Sequence, residues 1–247
     1  MGLVLALIVA AVAWYIKNKD GADFANKSEP KREHVSAAER DAPEKSGKKP
    51  QGKKYEDRAV SKELINSFTK VSLRSGEFEI LKNCSLVNHR HNDGDSFHVK
   101  HGGKETEFRL YFVDTAESAY KKYGRGENNG KRLREQGDYF GGLEMQQTTA
   151  LGKIAKSLVK DLLKKQKFTV VTKWENVYSP ERKYCYVIVN FQGREVYLHE
   201  LLCAKGLVRI KTRGASIPGG VSYHQQKKKL LQMEAVAKRL KLGGWGM

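Results

Sequence analysis

Residues 93–117 read DGDSFHVKHGGKETEFRLYFVDTAE, and the pattern of this stretch decides the fold. Phe97-His98-Val99 and Phe108-Arg109-Leu110-Tyr111-Phe112-Val113 have the apolar content of strands, and His101-Gly102-Gly103-Lys104 between them is a ready hairpin turn. Asp95 stands where a turn enters the first strand, and Gly94 before it lets the backbone bend tightly. Asp114 and Glu117 follow the end of the second strand, which carries Arg109. At about 3.3 Å per residue and with one hairpin reversal, Asp95 and Asp114 return to the same end of a barrel.

The flanking sequence supplies the rest of that barrel. Glu77 to Val87 alternates apolar and polar residues (Phe78, Ile80, Leu81, Cys84, Leu86), as a half-buried strand does. Phe168 to Trp174 and Tyr184 to Phe191 continue the β set, with Gln192-Gly193 as the next turn. Helical spacing marks Ala150 to Leu163, with Leu151, Ile154, Leu158 and Leu162 on one face. Leu198 to Ala204 reads as a short helix closed by Gly206. A third helix runs from about Tyr223 to Leu242, with Leu230, Met233, Ala237 and Leu240 at helical spacing. The expected class is α+β: a five-stranded β-barrel of the oligonucleotide-binding type with about three helices.

Charge points to a polyanionic partner. The chain carries 46 Lys and Arg against 28 Asp and Glu, a net +18, of which residues 61–247 hold +15 and residues 1–60 only +3. The excess therefore belongs to the folded body, where it favours nucleic acid or an anionic membrane over simple solubility charge. The three cysteines, Cys84, Cys185 and Cys203, are odd in number and widely spaced, which argues against a disulfide framework or a zinc site.

The amino-terminal region reads differently. Gly2 to Ile16 is continuously apolar, ends in Trp14 and Tyr15, and is followed by Lys17 and Lys19. It is short against the roughly 17–25 residues of a spanning helix, yet aromatic residues followed by lysines suit a membrane boundary. Ala11-Val12-Ala13 also resembles a signal-peptidase site, although no charged region precedes it. Residues 1–16 are therefore expected to anchor or export the chain. Residues 17–60, charged and poor in large apolar side chains, are expected to be a disordered tether, and the domain to occupy 61–247.

Two carboxylates, a carbonyl and water suit a hard divalent cation such as calcium. An arginine beside that cation matches phosphate with its planar fork and stabilises charge in a phosphorane, while Glu117 orients or deprotonates a water. The same residues also admit plainer readings: DGD as a turn, and Arg109 with Glu117 as a structural ion pair. The EF-hand spacing is absent.

These residues resemble the staphylococcal nuclease (thermonuclease) family: a DGDS turn, an arginine 14 residues beyond Asp95, then Arg109-Leu110 and Val113-Asp114-Thr115 with Glu117. Tyr139-Phe140-Gly141 before a long helix, Arg182 opening Tyr184-Cys185-Tyr186-Val187, His199-Glu200-Leu201-Leu202 with Gly206-Leu207, and the terminal Gly244-Trp245 extend the likeness over about residues 76–245. The resemblance implies calcium ligands at Asp95, Asp114 and the Thr115 carbonyl, phosphate-binding Arg109 and Arg182, water-handling Glu117, and Asp93 behind them. It implies hydrolysis of DNA and RNA to products bearing a 3′-phosphate. The sequence implies no protein partner, and a monomer is expected.

Three departures stand out. Ala116 replaces the family's proline, and Pro180-Glu181 replaces a Tyr-Gly whose ring can stack on a nucleotide. Tyr123 to Gly137 reads as an inserted loop whose Arg125, Lys131, Arg132 and Arg134 grip a nucleic-acid backbone or face solvent. His89 and His91, and Lys227-Lys228-Lys229, read as solvent-facing. The rival class is a non-catalytic, membrane-tethered oligonucleotide-binding barrel, which needs the basic surface but not the carboxylates.

Overall fold

A computed structural model describes residues 59–74 and 76–247. The expected anchor at 1–16 and nearly all of the tether at 17–60 lie outside the described residues. Among those described, no helix is long and apolar enough to cross a membrane.

The chain enters through helix α1 (Lys62–Ser67), capped by the Ser61 hydroxyl, and then winds a barrel. Strand β1 (Glu79–Leu86) pairs antiparallel with β2 (Ser96–His101), and β2 pairs with β3 (Lys104–Leu110) across the Gly102-Gly103 turn. After β4 (Val113–Thr115) come helices α2 (Gly130–Tyr139) and α3 (Met145–Lys164), then β5 (Phe168–Thr172). The short β6 (Asn176–Val177) leads into the long β7 (Ser179–Phe191), which continues through a turn at Gln192-Gly193 into β8 (Arg194–Tyr197). Helix α4 (Leu198–Ala204), strand β9 (Val208–Ile210) and helix α5 (Tyr223–Arg239) complete the body.

Five strands close on themselves. β3, β2, β1, β5 and β7 follow in order, and β7 returns to β3 in parallel, with Arg109 opposite Tyr184. The result is a closed five-stranded mixed barrel with helices, an α+β architecture compatible with an oligonucleotide-binding fold. Phe97, Val99, Phe108, Leu110, Val170, Cys185 and Val187 fill it, and α3 plugs it with Leu151, Ala155 and Val159. All three cysteines are buried and free. Trp245 packs its ring on Phe140 at 4.8 Å, with Lys238 Nζ 4.2 Å above it, so the chain end is stapled to the body.

Three expectations need correction. The strand expected at Phe108–Val113 breaks at Phe112, whose φ is +67°. Its N–H donates to the Arg213 carbonyl and its own carbonyl accepts from Lys211 and Thr212, so the chain leaves the barrel there and Asp114 sits on β4, paired with β9. On α3 the inward face is Leu151, Ala155, Val159 and Leu163, while Ile154, Leu158 and Leu162 are only partly buried. The segment read as an inserted loop contains α2, with Leu133, Gln136 and Gly137 buried.

Candidate active site

The turn before β2 and the loop after β4 meet where the barrel opens. Their approach requires a glycine: a Cβ on Gly94 would stand 2.7 Å from Thr115 Cγ2 and 3.1 Å from Ala155 Cβ. A Cβ on Gly152 of α3 would stand 2.5 Å from the carbonyl oxygens of Ala116 and Glu117. Helix α3 is thus pressed against the loop that carries Glu117, and this packing holds the loop where a proline was expected to stiffen it.

Asp95 and Asp114 share one arginine at this mouth, although Asp114 reaches it from β4 and not from the end of the hairpin strand. Asp95 Oδ2 accepts the Thr115 N–H at 2.8 Å, and Asp95 Oδ1 accepts from the Ser96 hydroxyl at 2.9 Å and from Arg109 at 3.2 Å. The other arm of the Arg109 guanidinium donates to Asp114 Oδ1 at 2.7 Å, so a single arginine ties the two carboxylates together. Arg109 is held on β3 between Ser96 of β2 and Tyr184 of β7.

Asp114 draws two further guanidinium groups. Arg132 of α2 donates to Oδ1 at 2.6 Å, and Arg209 of β9 donates to Oδ2 at 2.6 Å. Gln136 adds its side-chain amide to Oδ2 at 3.3 Å and to the Thr115 carbonyl at 2.9 Å. Burial pushes the Asp114 carboxyl up, but Arg132, Arg209 and Arg109 outweigh it and hold it below the usual carboxylate range. The three guanidiniums meet three carboxylates, since Arg132 Nε also donates to Glu117 Oε1 at 2.8 Å. Asn129 lies against the other Glu117 oxygen at 3.4 Å, and the Glu117 N–H donates to Gln136 at 2.9 Å.

Arg182 sits on β7 opposite Glu107 of β3, its Nε 2.8 Å from Glu107 Oε1 as an ion pair without hydrogen-bond alignment. It lines the site together with Arg109, whereas Lys183 turns to Asn176. Asp93 lies behind Asp95, its carboxyl raised to about 6 by burial and by the neighbouring Asp95 charge.

Two clefts open over this cluster. One of about 320 Å³ lies over Asp93, Asp95, Thr115, Lys121 and Lys156. The other, about 840 Å³, lies over Asp114, Tyr123, Tyr178, Tyr184, Lys211 and Arg213. Arg109, Glu117, Tyr123, Arg132 and Arg182 line both. Tyr178 has a φ of +51° and a fully exposed ring at the mouth of the larger cleft, so an aromatic face is present although Pro180-Glu181 replaces the expected tyrosine.

The structure brings together all six expected site residues: Asp95, Arg109, Asp114, Thr115, Glu117 and Arg182. Sequence reading missed Arg209, Gln136 and Asn129, and gave Arg132 only to a loop. The spacing of Arg132 and Gln136, one helical turn apart, was the available signal for one helix face turned to the site. No protein-family model matches the chain, and no curated protein matches it.

Proposed function

We propose that the domain is a calcium-dependent phosphodiesterase of the thermonuclease type, acting on DNA and RNA and leaving a 3′-phosphate. The observation that carries the reading is the convergence of Asp95, Asp114 and the Thr115 carbonyl with Arg109, Glu117 and Arg182 at one mouth of the barrel. The oxygen donors fit a hard cation by their chemistry: two carboxylates and a carbonyl, with no sulfur or imidazole among them. Asp95, Asp114 and the Thr115 carbonyl would hold it, and when bound it would supply Lewis-acid polarisation of a phosphoryl oxygen.

The chain's own groups supply the rest. Arg109 and Arg182 face both clefts from adjacent strands, where their planar forks take phosphoryl oxygens and offset the charge that builds during in-line displacement. Glu117 holds a water for attack and accepts its proton. Tyr178 offers a ring face to a base, and Lys211 and Arg213 offer cations to the strand beyond it. The proposal includes attachment or export through residues 1–16, supported by their apolar run and flanking lysines.

One observation favours a second reading. Asp114 is already met by three guanidiniums, an arrangement that serves a non-catalytic nucleic-acid-binding barrel without any cation. Supercoiled-plasmid nicking separates the two. The enzyme nicks with calcium and stops in chelator; binding without nicking in either condition leaves the binding module, and full nicking in chelator removes the calcium assignment.

A further inference from the structure

A carboxylate offers about four acceptor sites, two on each oxygen. Asp114 has all of them in use: Arg109 and Arg132 on Oδ1, Arg209 and Gln136 on Oδ2. Any cation that takes Oδ1 must therefore displace a guanidinium. The three arginines are unequal in this respect. The Arg209 side chain is 4% exposed and that of Arg109 12%, while that of Arg132 is 42% exposed and borders both clefts.

Helix α2 does not depend on Arg132 for its seat. Gln136, one turn further along the same face, ties the helix to Asp114, to the Thr115 carbonyl and to the Glu117 N–H. Leu133 and Gly137 are buried beneath it. The Arg132 side chain can swing into the cleft while its helix stays in place. Because the same guanidinium holds Glu117 Oε1, its departure opens one acceptor site on Asp114 Oδ1 and uncovers Glu117 Oε1 at once, while Arg109, Arg209 and Gln136 stay on Asp114.

We propose that Arg132 is a displaceable counter-ion: it closes Asp114 and Glu117 in the cation-free protein, competes with the divalent cation for Asp114, and uncovers Glu117 when it leaves. This rests on the calcium reading given above. Arg132 is a positioning residue, acting on the cation site and on Glu117 and not on the reacting atoms.

The test is calorimetric titration of calcium chloride into the full chain without substrate, for wild type, Arg132→Gln and Arg132→Lys, with thermal melts as a folding control. Arg132→Gln should bind calcium about tenfold more tightly, as expected for removal of one half-buried competing cation. Arg132→Lys should fall between, because one ammonium does not span two carboxylates as a guanidinium fork does. Should Arg132→Gln fail to fold, the lysine variant against wild type decides on the same scale. Binding by Arg132→Gln alone supports the proposal. Equal or weaker binding by the variants overturns it while leaving the cation site intact. No binding by wild type or either variant removes the calcium reading, and this proposal with it.

Discussion

Asp114 and Glu200 are both buried carboxylates, and the contrast between their partners separates the candidate site from a network that only joins elements of the fold. Asp114 is held by three guanidiniums at the mouth of the barrel, under an open cleft. Glu200 of α4 is fully buried and held by neutral donors: the Thr69 N–H at 2.8 Å, the Thr69 hydroxyl, and the Gln226 amide of α5 at 2.7 Å. Lys229 reaches this network only through the Thr69 hydroxyl, at 2.9 Å. Glu200 thereby fastens residues 59–74 to two helices. Burial alone does not mark a functional carboxylate. The mark is burial beside excess, partly exposed cationic groups that a substrate or ion can compete for.

The largest effect that would break this contrast lies at Arg109. Arg109→Ala should reduce turnover in the plasmid assay by about 10²–10⁴, with Arg182→Ala following in the same direction. Each removes charge stabilisation in the transition state. Activity within about threefold of wild type for both would place the cluster with Glu200, as structure only.

The opposite end of the contrast is Glu200→Ala. It leaves the buried Thr69 N–H without an acceptor, leaves the Gln226 amide only His199 Nε2 at 3.0 Å, and should cost about 2–4 kcal/mol in urea unfolding. Activity per folded molecule should be unchanged. A large loss of turnover in protein that remains folded would show that the two networks communicate.

The legible part of this molecule was the part written as local pattern. The hairpin of residues 96–110 followed from the apolar content of its two strands and from Gly102-Gly103, and the register that pairs Ser96 with Arg109 brings Asp95 to Thr115. The break at Phe112 was not legible. Its positive φ is imposed by carbonyls and N–H groups of residues 211–213, about a hundred positions away in sequence. Helix α2 was missed because its apolar content is slight: Lys131, Arg132, Arg134 and Glu135 dominate its surface, and it buries Gln136 instead of a further apolar residue. Arg209 was missed for a related reason. β9 is a three-residue strand whose only marked feature in sequence is one arginine between Val208 and Ile210, and its role appears only when β4 is paired beside it.

Asp93 gives the smallest effect and the sharpest test of the contrast, because it is a half-buried carboxylate beside the site with no guanidinium among its hydrogen-bond partners. Its Oδ1 accepts only the Gly94 N–H at 3.0 Å, with Lys156 as the nearby favourable charge. Burial and the Asp95 charge therefore raise its carboxyl to about 6, where Asp114 under its three arginines is lowered. A raised carboxyl binds more protons in the folded state than in the unfolded state between its ordinary value near 4 and about 6. Stability is then lost as pH rises through that window, and the full penalty is present at neutral pH. Asp93→Asn, which keeps an acceptor oxygen for the Gly94 N–H, should stabilise the cation-free protein by about 1 kcal/mol at pH 7.5 and by nothing at pH 3.5. A cation bound at Asp95 would lower the Asp93 carboxyl, so the gain at pH 7.5 should shrink when calcium is added. Thermal melts of wild type and Asp93→Asn at both pH values, with calcium and with chelator, read all of this. A variant less stable than wild type at pH 7.5 in chelator would show that Asp93 is charged and well partnered, and would place it on the Glu200 side of the contrast.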